Sequence, residues 1–413
     1  MSLIIGIIVG LLMLMLLVTA HEFGHFIMAR RNGVDVVEFG ICFPPRAIAW
    51  RKVNGKWRKL SKREWDNPPG QGLILSLNWL PIGGFCQMSG ESDASTKQGG
   101  FGRATLWQKT KILFGGVAVN WLLAFVLFTV LALAGMPHFL SNQYEVKSDT
   151  VVDIITPVTV KEIIKDSPAD KAGLEVDDII ESVRIINCNN SDCTDTSDDR
   201  ANIVTTDDLL SFDKKYAGKE IYISYRRDSG VNVTKVKLNA ADADYILGAS
   251  MVNDVAYRST WSAPIVGVGT TLQVTGETFR SVGELLYNLV SGAVEQFNPN
   301  ATVREDGAAA IKKAGDAVSG PVGIVGVLFP AFVKSGLRNL IFLVALISTS
   351  LACMNVLPIP ALDGGRWLLI VIYRLRRKKL TKEIEEKIVN RAFVVLLVLS
   401  FVITILDVMR LVR

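Results

Sequence analysis

Apolar residues gather into four long runs along this chain. Leu3 to Ala20 carries no charge and leads straight into His21, and Ile112 to Met136 is uncharged up to Pro137. Asn339 to Leu362 and the shorter Ala392 to Leu406 follow. A helix needs roughly 20 apolar residues to cross the hydrocarbon core, so the first helix must include the histidines near its inner end. The pattern predicts transmembrane helices at 1–30, 112–137, 337–366 and 392–410. Another apolar stretch, Gly72 to Met88 (GLILSLNWLPIGGFCQM), is broken by Pro81 and Gly83-Gly84. It reads as a β-hairpin dipping into the membrane from the segment 31–111, because proline and the glycine pair interrupt a helix.

Between the second and third runs the pattern changes. Val158 to Ile164, Asp178 to Ile186, Ile221 to Arg226 and Val231 to Leu238 are rich in β-branched residues, as strands are. Ser167-Pro168-Ala169-Asp170-Lys171-Ala172-Gly173-Leu174 reads as a short capped helix ended by glycine. This SPAxxAGL turn before an apolar strand resembles a PDZ domain, placed here at 150–251. Asp177-Asp178 stands where that family has Gly-Asp. In the following region, 262–336, Phe279, Val282, Leu286 and Leu289 recur at helical spacing. That predicts an amphipathic helix over Val274 to Leu289, lying on the membrane surface or packed on the PDZ domain.

Charge adds the orientation. Residues 28–111 hold 14 Lys/Arg against 6 Asp/Glu, and 374–391 hold eight against three. Residues 137–262 hold 14 basic against 22 acidic residues. The positive-inside rule puts the first two segments in the cytoplasm and the third outside, with both termini outside. The net charge of +5 does not point to nucleic acid, since the basic clusters abut the spans. A hydrophobic share of 49% and a charged share of 21% exclude a disordered chain. Five cysteines without a CxxC pair exclude a zinc ribbon or a Cys-ligated cluster. Cys188 and Cys193 fall outside the membrane, where a disulfide is chemically permitted. The first run has no preceding positive residue and no small-x-small cleavage site, so it does not read as a signal peptide. The expected architecture is therefore a mainly α-helical membrane protein. It has about four transmembrane helices, a membrane-associated β-hairpin, a basic cytoplasmic loop at 374–391 and an extracytoplasmic α+β domain.

His21-Glu22-Phe23-Gly24-His25 is an HExxH motif. On a helix, positions i and i+4 share a face, so two imidazoles can hold one metal with Glu22 beside them. Ionisable groups in a membrane span are costly and mark function. Catalytic zinc takes three protein ligands and keeps a fourth position open. The remaining histidine, His138, belongs to the opposite side, so the third ligand is a carboxylate or a thiolate. The strongest candidate is Asp363 in Asn355-Val356-Leu357-Pro358-Ile359-Pro360-Ala361-Leu362-Asp363-Gly364-Gly365. Its two prolines break the helix, and Gly364-Gly365 allows close approach of backbone to metal or substrate.

HEFGH on the first span, the PDZ-like segment and NVLPIPALDGG on the third resemble the bacterial site-2 proteases. These are intramembrane zinc metalloproteases of the regulator-of-sigma-E protease type, here with a single PDZ domain. Leu80-Pro81-Ile82-Gly83-Gly84-Phe85, Met88-Ser89-Gly90-Glu91, Gly115 to Asn120 and Ser319 to Ile324 extend the likeness over nearly the whole chain. The resemblance implies Zn2+ on His21, His25 and Asp363, with Glu22 as general base. It places Asn355, Asn120 and the strand of Gly83, Gly84 and Phe85 near substrate. It also implies a multi-pass protein of the bacterial inner membrane, with the active site toward the cytoplasm. The partners would be transmembrane substrates, such as anti-sigma factors or remnant signal peptides, peptide tails at the PDZ domain, and the bilayer. Ile41-Cys42-Phe43-Pro44-Pro45 departs from the family's Gly-Phe-Gly-Pro-like turn. Two other classes fit the sequence less well. A non-catalytic PDZ-containing membrane adaptor has no need of intact ligands and Glu22, and a metal transporter is expected to show paired inverted halves, which the sequence lacks.

Overall fold

The computed structural model describes residues 2–53, 56–65, 72–140, 142–185, 199–228, 230–243, 245–316 and 320–412. Cys188, Cys193 and Ser319 lie outside the described residues. Two compact units divide the chain: Met1–Leu131 with Ala263–Arg413, and an inserted unit, Ala132–Ser262.

The first unit begins with α1 (Ser2–Arg31), closed by Arg30 and Arg31 in its last turn, where cations suit the helix dipole. Strands β1 (Val36–Val53), β2 (Lys56–Lys59) and β3 (Ile74–Met88) follow as a sheet in the order β2-β1-β3. Its pairing is interleaved. Phe39 pairs with both Leu75 and Cys86, Gly40 with Ser76 and Phe85, and Ile41 with Leu77 and Gly84. The first half of β1 is thus enclosed by the two limbs of β3, and Ile48 to Arg51 flank Ile74 to Leu77 on the far side. This corrects the expected hairpin, because the limbs of Gly72–Met88 do not pair with each other. Pro81 lacks an N–H for a tight closing ladder, and Gly83, at φ +142, turns the chain before its second limb. Both limbs then find partners in β1.

Helix α2 (Leu106–Ala134) starts with a reciprocal cap. Gln108 N–H donates to Thr105 Oγ1 at 3.3 Å, and Thr105 N–H to Gln108 Oε1 at 2.8 Å. It meets α1 at backbone contact. A Cβ on Gly24 would fall 2.2 Å from the Gly115 carbonyl oxygen, so only glycine permits this approach.

The inserted unit runs β4 (Met136–Pro137), β5 (Val151–Ile163), α3 (Pro168–Lys171), β6 (Ile179–Ile185), β7 (Asp199–Asn202), α4 (Thr206–Lys215), β8 (Glu220–Arg227), β9 (Gly230–Lys237) and β10 (Ala249–Arg258). The sheet order is β4-β10-β5-β6-β8-β9, with β7 on β6. The unit is wider than 150–251 because Met136–Pro137 pairs with Ala256 and Tyr257. Val158, Ile180, Val183, Ile221 and Ile223 fill its core. In the SPAxxAGL turn, Ser167 Oγ accepts from Asp170 N–H, Pro168 takes the first helical turn, and Gly173 adopts φ +75. The expected departure at Asp177 is accommodated in place: Asp177 takes φ +73, a region that favours glycine. Next to it, Arg227 grips the buried Asp178 at 2.7 and 2.8 Å.

The chain then returns to the first unit through α5 (Ala263–Glu295), α6 (Ala301–Asp316) and α7 (Pro321–Gly323), with a π-turn at Ile324–Leu328 leading into α8 (Phe329–Lys334). It ends with α9 (Leu337–Val356), α10 (Asp363–Leu375) and α11 (Lys382–Val412). Among the described residues four helices are long and apolar enough to cross a membrane: Leu3–Arg31, Leu106–Ala134, Leu337–Val356 and Lys382–Met409. Four boundaries differ from expectation, the first being the second helix, which spans Leu106–Ala134 rather than 112–137. The third helix stops at Val356 rather than running to 366, since Pro358 and Pro360 cannot continue it. The fourth starts at Lys382, absorbing half of the basic segment, with Glu383 and Glu385 in its first turn. α5 has 33 residues, twice the expected Val274–Leu289, and its first half packs inside the helical bundle. Trp121 Nε1–H donates to Thr275 Oγ1 at 3.1 Å, and Gly267 lies against Thr129.

Candidate metal centre

HExxH falls on α1 as the spacing requires, with His21 and His25 both buried. Asp363 arrives from the far end of the sequence. After α9 stops, Leu357 to Leu362 form a short connection, and Asp363 is the first residue of α10, with Leu362 at the N-cap. Gly364 and Gly365 were expected to admit metal or substrate. They clear the chain's own backbone instead: a Cβ at Gly364 would lie 2.1 Å from the Val356 carbonyl oxygen, and one at Gly365 2.0 Å from that of Ile359. The glycine pair therefore lets α10 start tight against the end of α9, which sets the position of Asp363.

Three donor atoms converge. Asp363 Oδ2 lies 3.0 Å from His21 Nε2 and 3.3 Å from His25 Nε2, and the two Nε2 atoms are 3.0 Å apart. Ligand atoms of a tetrahedral zinc at its usual bond lengths stand about 3.3 Å from one another. The triangle thus fits zinc with only a few tenths of an ångström of expansion. The tautomer fits as well. His25 Nδ1–H donates to the Ile112 carbonyl at 2.8 Å, which leaves Nε2 as a lone pair facing the centre. Ligand atoms of Glu22, His21 and His25 all lie within 4.8 Å of one another. Glu22 thereby stands beside the donor triangle on the same helix, in reach of whatever the triangle holds.

A cavity of about 260 Å³ opens on these donors, lined by Val18, His21, Glu22, His25, Asn120, Leu351, Asn355, Ala361, Leu362 and Asp363. Six of the nine residues singled out in the sequence therefore share one cavity: His21, Glu22, His25, Asn120, Asn355 and Asp363. Gly83, Gly84 and Phe85 lie outside its lining but beside it. Gly83 packs on Val18 and Gly84 on Thr19, one turn of α1 before the motif. Phe85 covers Gly40, with its ring 6.1 Å from that of Phe43. The backbone of the next residue, Cys86, comes close to the Glu22 carboxylate. The outer limb of β3 therefore runs beside the helix that carries the general-base candidate.

Sequence reasoning missed what frames the site. A second cavity of about 650 Å³ shares Ala361, Leu362 and Asp363 with the first and is walled by Glu91, Arg366 and Glu385. Arg366 Nε–H donates to Glu385 Oε1 at 3.1 Å and also bonds the Glu91 carbonyl; Glu385 Oε2 accepts from Asp93 N–H at 3.0 Å. One signal was available: Glu385 is among the three acidic residues of an otherwise basic segment. Gly116 lies directly on the His21 ring, a contact no sequence pattern marks.

Comparison with known proteins agrees with this geometry. The model of peptidase family M50 matches residues 9–61 and 69–400. A Clostridium perfringens protein named "Putative zinc metalloprotease" is 27% identical over 402 residues, covering 97% of this chain and 98% of its own. Proteins of the same name from Clostridium acetobutylicum (26% over 406 residues, 98% and 97% covered) and Fusobacterium nucleatum (26% over 407 residues, 98% of each) align as completely. Four apolar helices, the HExxH helix and a family match over most of its length lead to one conclusion: the chain belongs to peptidase family M50, zinc-dependent metalloproteases of the membrane.

Proposed function

We propose that this membrane zinc metalloprotease cleaves transmembrane segments of other membrane proteins, in the manner of a regulator-of-sigma-E type site-2 protease. The observation that carries the reading is the convergence within 3.3 Å of His21 and His25, on a helix apolar enough to cross a membrane, with Asp363 at the start of α10. His21, His25 and Asp363 hold the zinc, and Glu22 is the general base. Bound zinc supplies Lewis acidity, activating water and polarising the scissile carbonyl. The Glu22 carboxylate takes the proton released on attack and returns it to the departing amine nitrogen. Asn355, which lines the same cavity as Glu22, contacts the substrate backbone in this reading.

A transmembrane substrate hides its peptide bonds in helical hydrogen bonds and must be unwound before it can be cut. Unmet backbone groups in hydrocarbon cost several kcal/mol each. The free edge of Gly84 to Met88, running past Glu22, offers those groups a partner by strand addition. The inserted unit is read as a single PDZ domain on the outer face, admitting or excluding substrates by the bulk and tails of their outside domains. The acidic excess of 137–262 and the SPAxxAGL turn support that assignment. Substrates of the anti-sigma-factor or remnant-signal-peptide kind fit, in a bacterial inner membrane with the site toward the cytoplasm.

Glu22→Gln tests the reading. Purified protein should keep stoichiometric zinc and lose cleavage of a transmembrane substrate, while His21→Ala, His25→Ala and Asp363→Ala lose zinc as well. Turnover by Glu22→Gln within about tenfold of wild type would remove Glu22 from the mechanism. Stoichiometric zinc in Asp363→Ala would remove the third ligand.

A further inference from the structure

We propose that Asn120 is a positioning residue that fixes the ring of His21 through its carboxamide oxygen, which deepens the zinc reading above and rests on it. His21 turns Nε2 toward the donor triangle, 3.0 Å from both Asp363 Oδ2 and His25 Nε2. A neutral imidazole that offers Nε2 as a lone pair carries its proton on Nδ1. That proton needs an acceptor in a buried site. His25 meets the same need with the Ile112 carbonyl. For His21, the polar group at Nδ1 is the carboxamide of Asn120, at 3.5 Å.

With the Asn120 nitrogen toward the ring, two polar groups go unmatched. Nδ1–H and the amide NH2 are both donors, and Asn120 Oδ1 is buried with no hydrogen-bond partner. The two ends of a carboxamide are nearly identical in shape, so the bonding pattern decides which faces the ring. Half a turn about the terminal bond sets Oδ1 against Nδ1–H and matches both groups together. The surroundings hold the group in place. Asn120 is fully buried, and Ser348 Oγ–H of α9 donates to its backbone carbonyl at 2.8 Å. One turn earlier on α2, Gly116 presses on the His21 ring. Asn120 and Gly116 together fix which nitrogen of His21 reaches the metal and in what plane. The family resemblance suggests contact with substrate for Asn120. Its geometry gives it work before any substrate arrives.

The test measures zinc without substrate. Full-length protein in detergent is titrated against a chromophoric zinc chelator, as wild type, Asn120→Leu and Asn120→Asp. Asn120→Leu removes the acceptor and should weaken zinc binding by about 10–100-fold; Asn120→Asp keeps an acceptor and should stay within about threefold or bind more tightly. The visible spectrum of the cobalt-loaded protein should shift in Asn120→Leu and return in Asn120→Asp. Should the leucine variant not fold, Asn120→Ala supplies the acceptor-free comparison without added volume. Wild-type zinc affinity in the acceptor-free variants, or equal loss in Asn120→Asp, overturns the assignment. Failure of the zinc reading itself looks different: His21→Ala and Asp363→Ala would then hold zinc as wild type does.

Discussion

Adding one methyl group at Gly116 should disarm the metal centre without touching a ligand. A Cβ there would lie 2.6 Å from His21 Cε1 and 2.7 Å from Nδ1 and Nε2. Carbon contacts settle at about 3.5 Å or more, so ring and methyl must separate by about 0.8 Å. Zinc ligands hold their bond lengths to within about 0.2 Å, which the ring cannot satisfy after such a shift. Letting α2 retreat instead strains the bundle, and overpacking of this kind costs about 1–3 kcal/mol. Zinc affinity of Gly116→Ala should therefore fall at least about tenfold, as when a ligand loses its support. Cleavage should drop roughly 100-fold, the usual effect of an ångström of misplacement. The assays are chelator competition, cleavage of a transmembrane substrate and thermal unfolding with and without zinc. Gly276→Ala is the control, since no atom lies within 4 Å of its added methyl, and helix propensity predicts a gain of about 0.5–1 kcal/mol with normal zinc. Wild-type zinc affinity in Gly116→Ala, with cleavage within about twofold, would refute the reasoning.

Cys86→Pro removes the amide that faces Glu22 and should depress cleavage sharply with zinc content near wild type, whereas Phe85→Pro breaks the ladder to Gly40 and should mainly lower thermal stability. Full activity in both variants would exclude strand addition at this edge. Burial pushes the Asp213 carboxyl up to about 7, above its unfolded value of about 3.9. The native state thus holds a proton that the unfolded state has released, so the inserted unit should lose stability as pH rises from about 4 to about 7 and level off beyond. Hydrogen exchange in α4 of the full chain reads this, and Asp213→Asn should flatten the profile; an unchanged profile counts against it. Asp407 accepts from Gly320 N–H at 2.9 Å and Gly323 N–H at 2.8 Å, both buried. Asp407→Ala should cost about 2–4 kcal/mol by leaving both donors unmet, with Asp407→Asn in between; a loss under about 0.5 kcal/mol in denaturation would contradict the capping role.

The spacing of His21 and His25 was enough to place two donors on one helix face, because helical periodicity is local. Asp363 was reachable by elimination in a chain with three histidines and few acidic residues near its spans. Other features depend on which segments meet, and no local pattern carries that. The glycines at 364 and 365 looked like openings to a ligand, yet their neighbours are carbonyls of Val356 and Ile359. β1 and β3 interleave because each limb of β3 finds a partner in β1, and register across more than thirty residues leaves no mark on the alternation of either strand. α5 reaches well before Val274, since Ala263 to Gln273 carries no charge and no charged face to mark its helical period; Glu277, Arg280 and Glu284 pair along the exposed side, while Val266, Thr270 and Val274 face inward. Asp177 looked like a break with the glycine pattern, and it takes a left-handed conformation all the same.

The interleaved sheet also divides its own strand into an enclosed part and an edge. Ile74 to Leu77 has neighbours on both sides, while Gly84 to Met88 has β1 on one side alone. The turn that joins the two limbs carries Trp79 and Leu80, exposed at 70% and 45%. Exposed apolar side chains of that kind suit a lipid contact. One continuous strand therefore joins the most exposed apolar side chains of the sheet to the residues that pack on Val18 and Thr19, one turn before the HExxH motif.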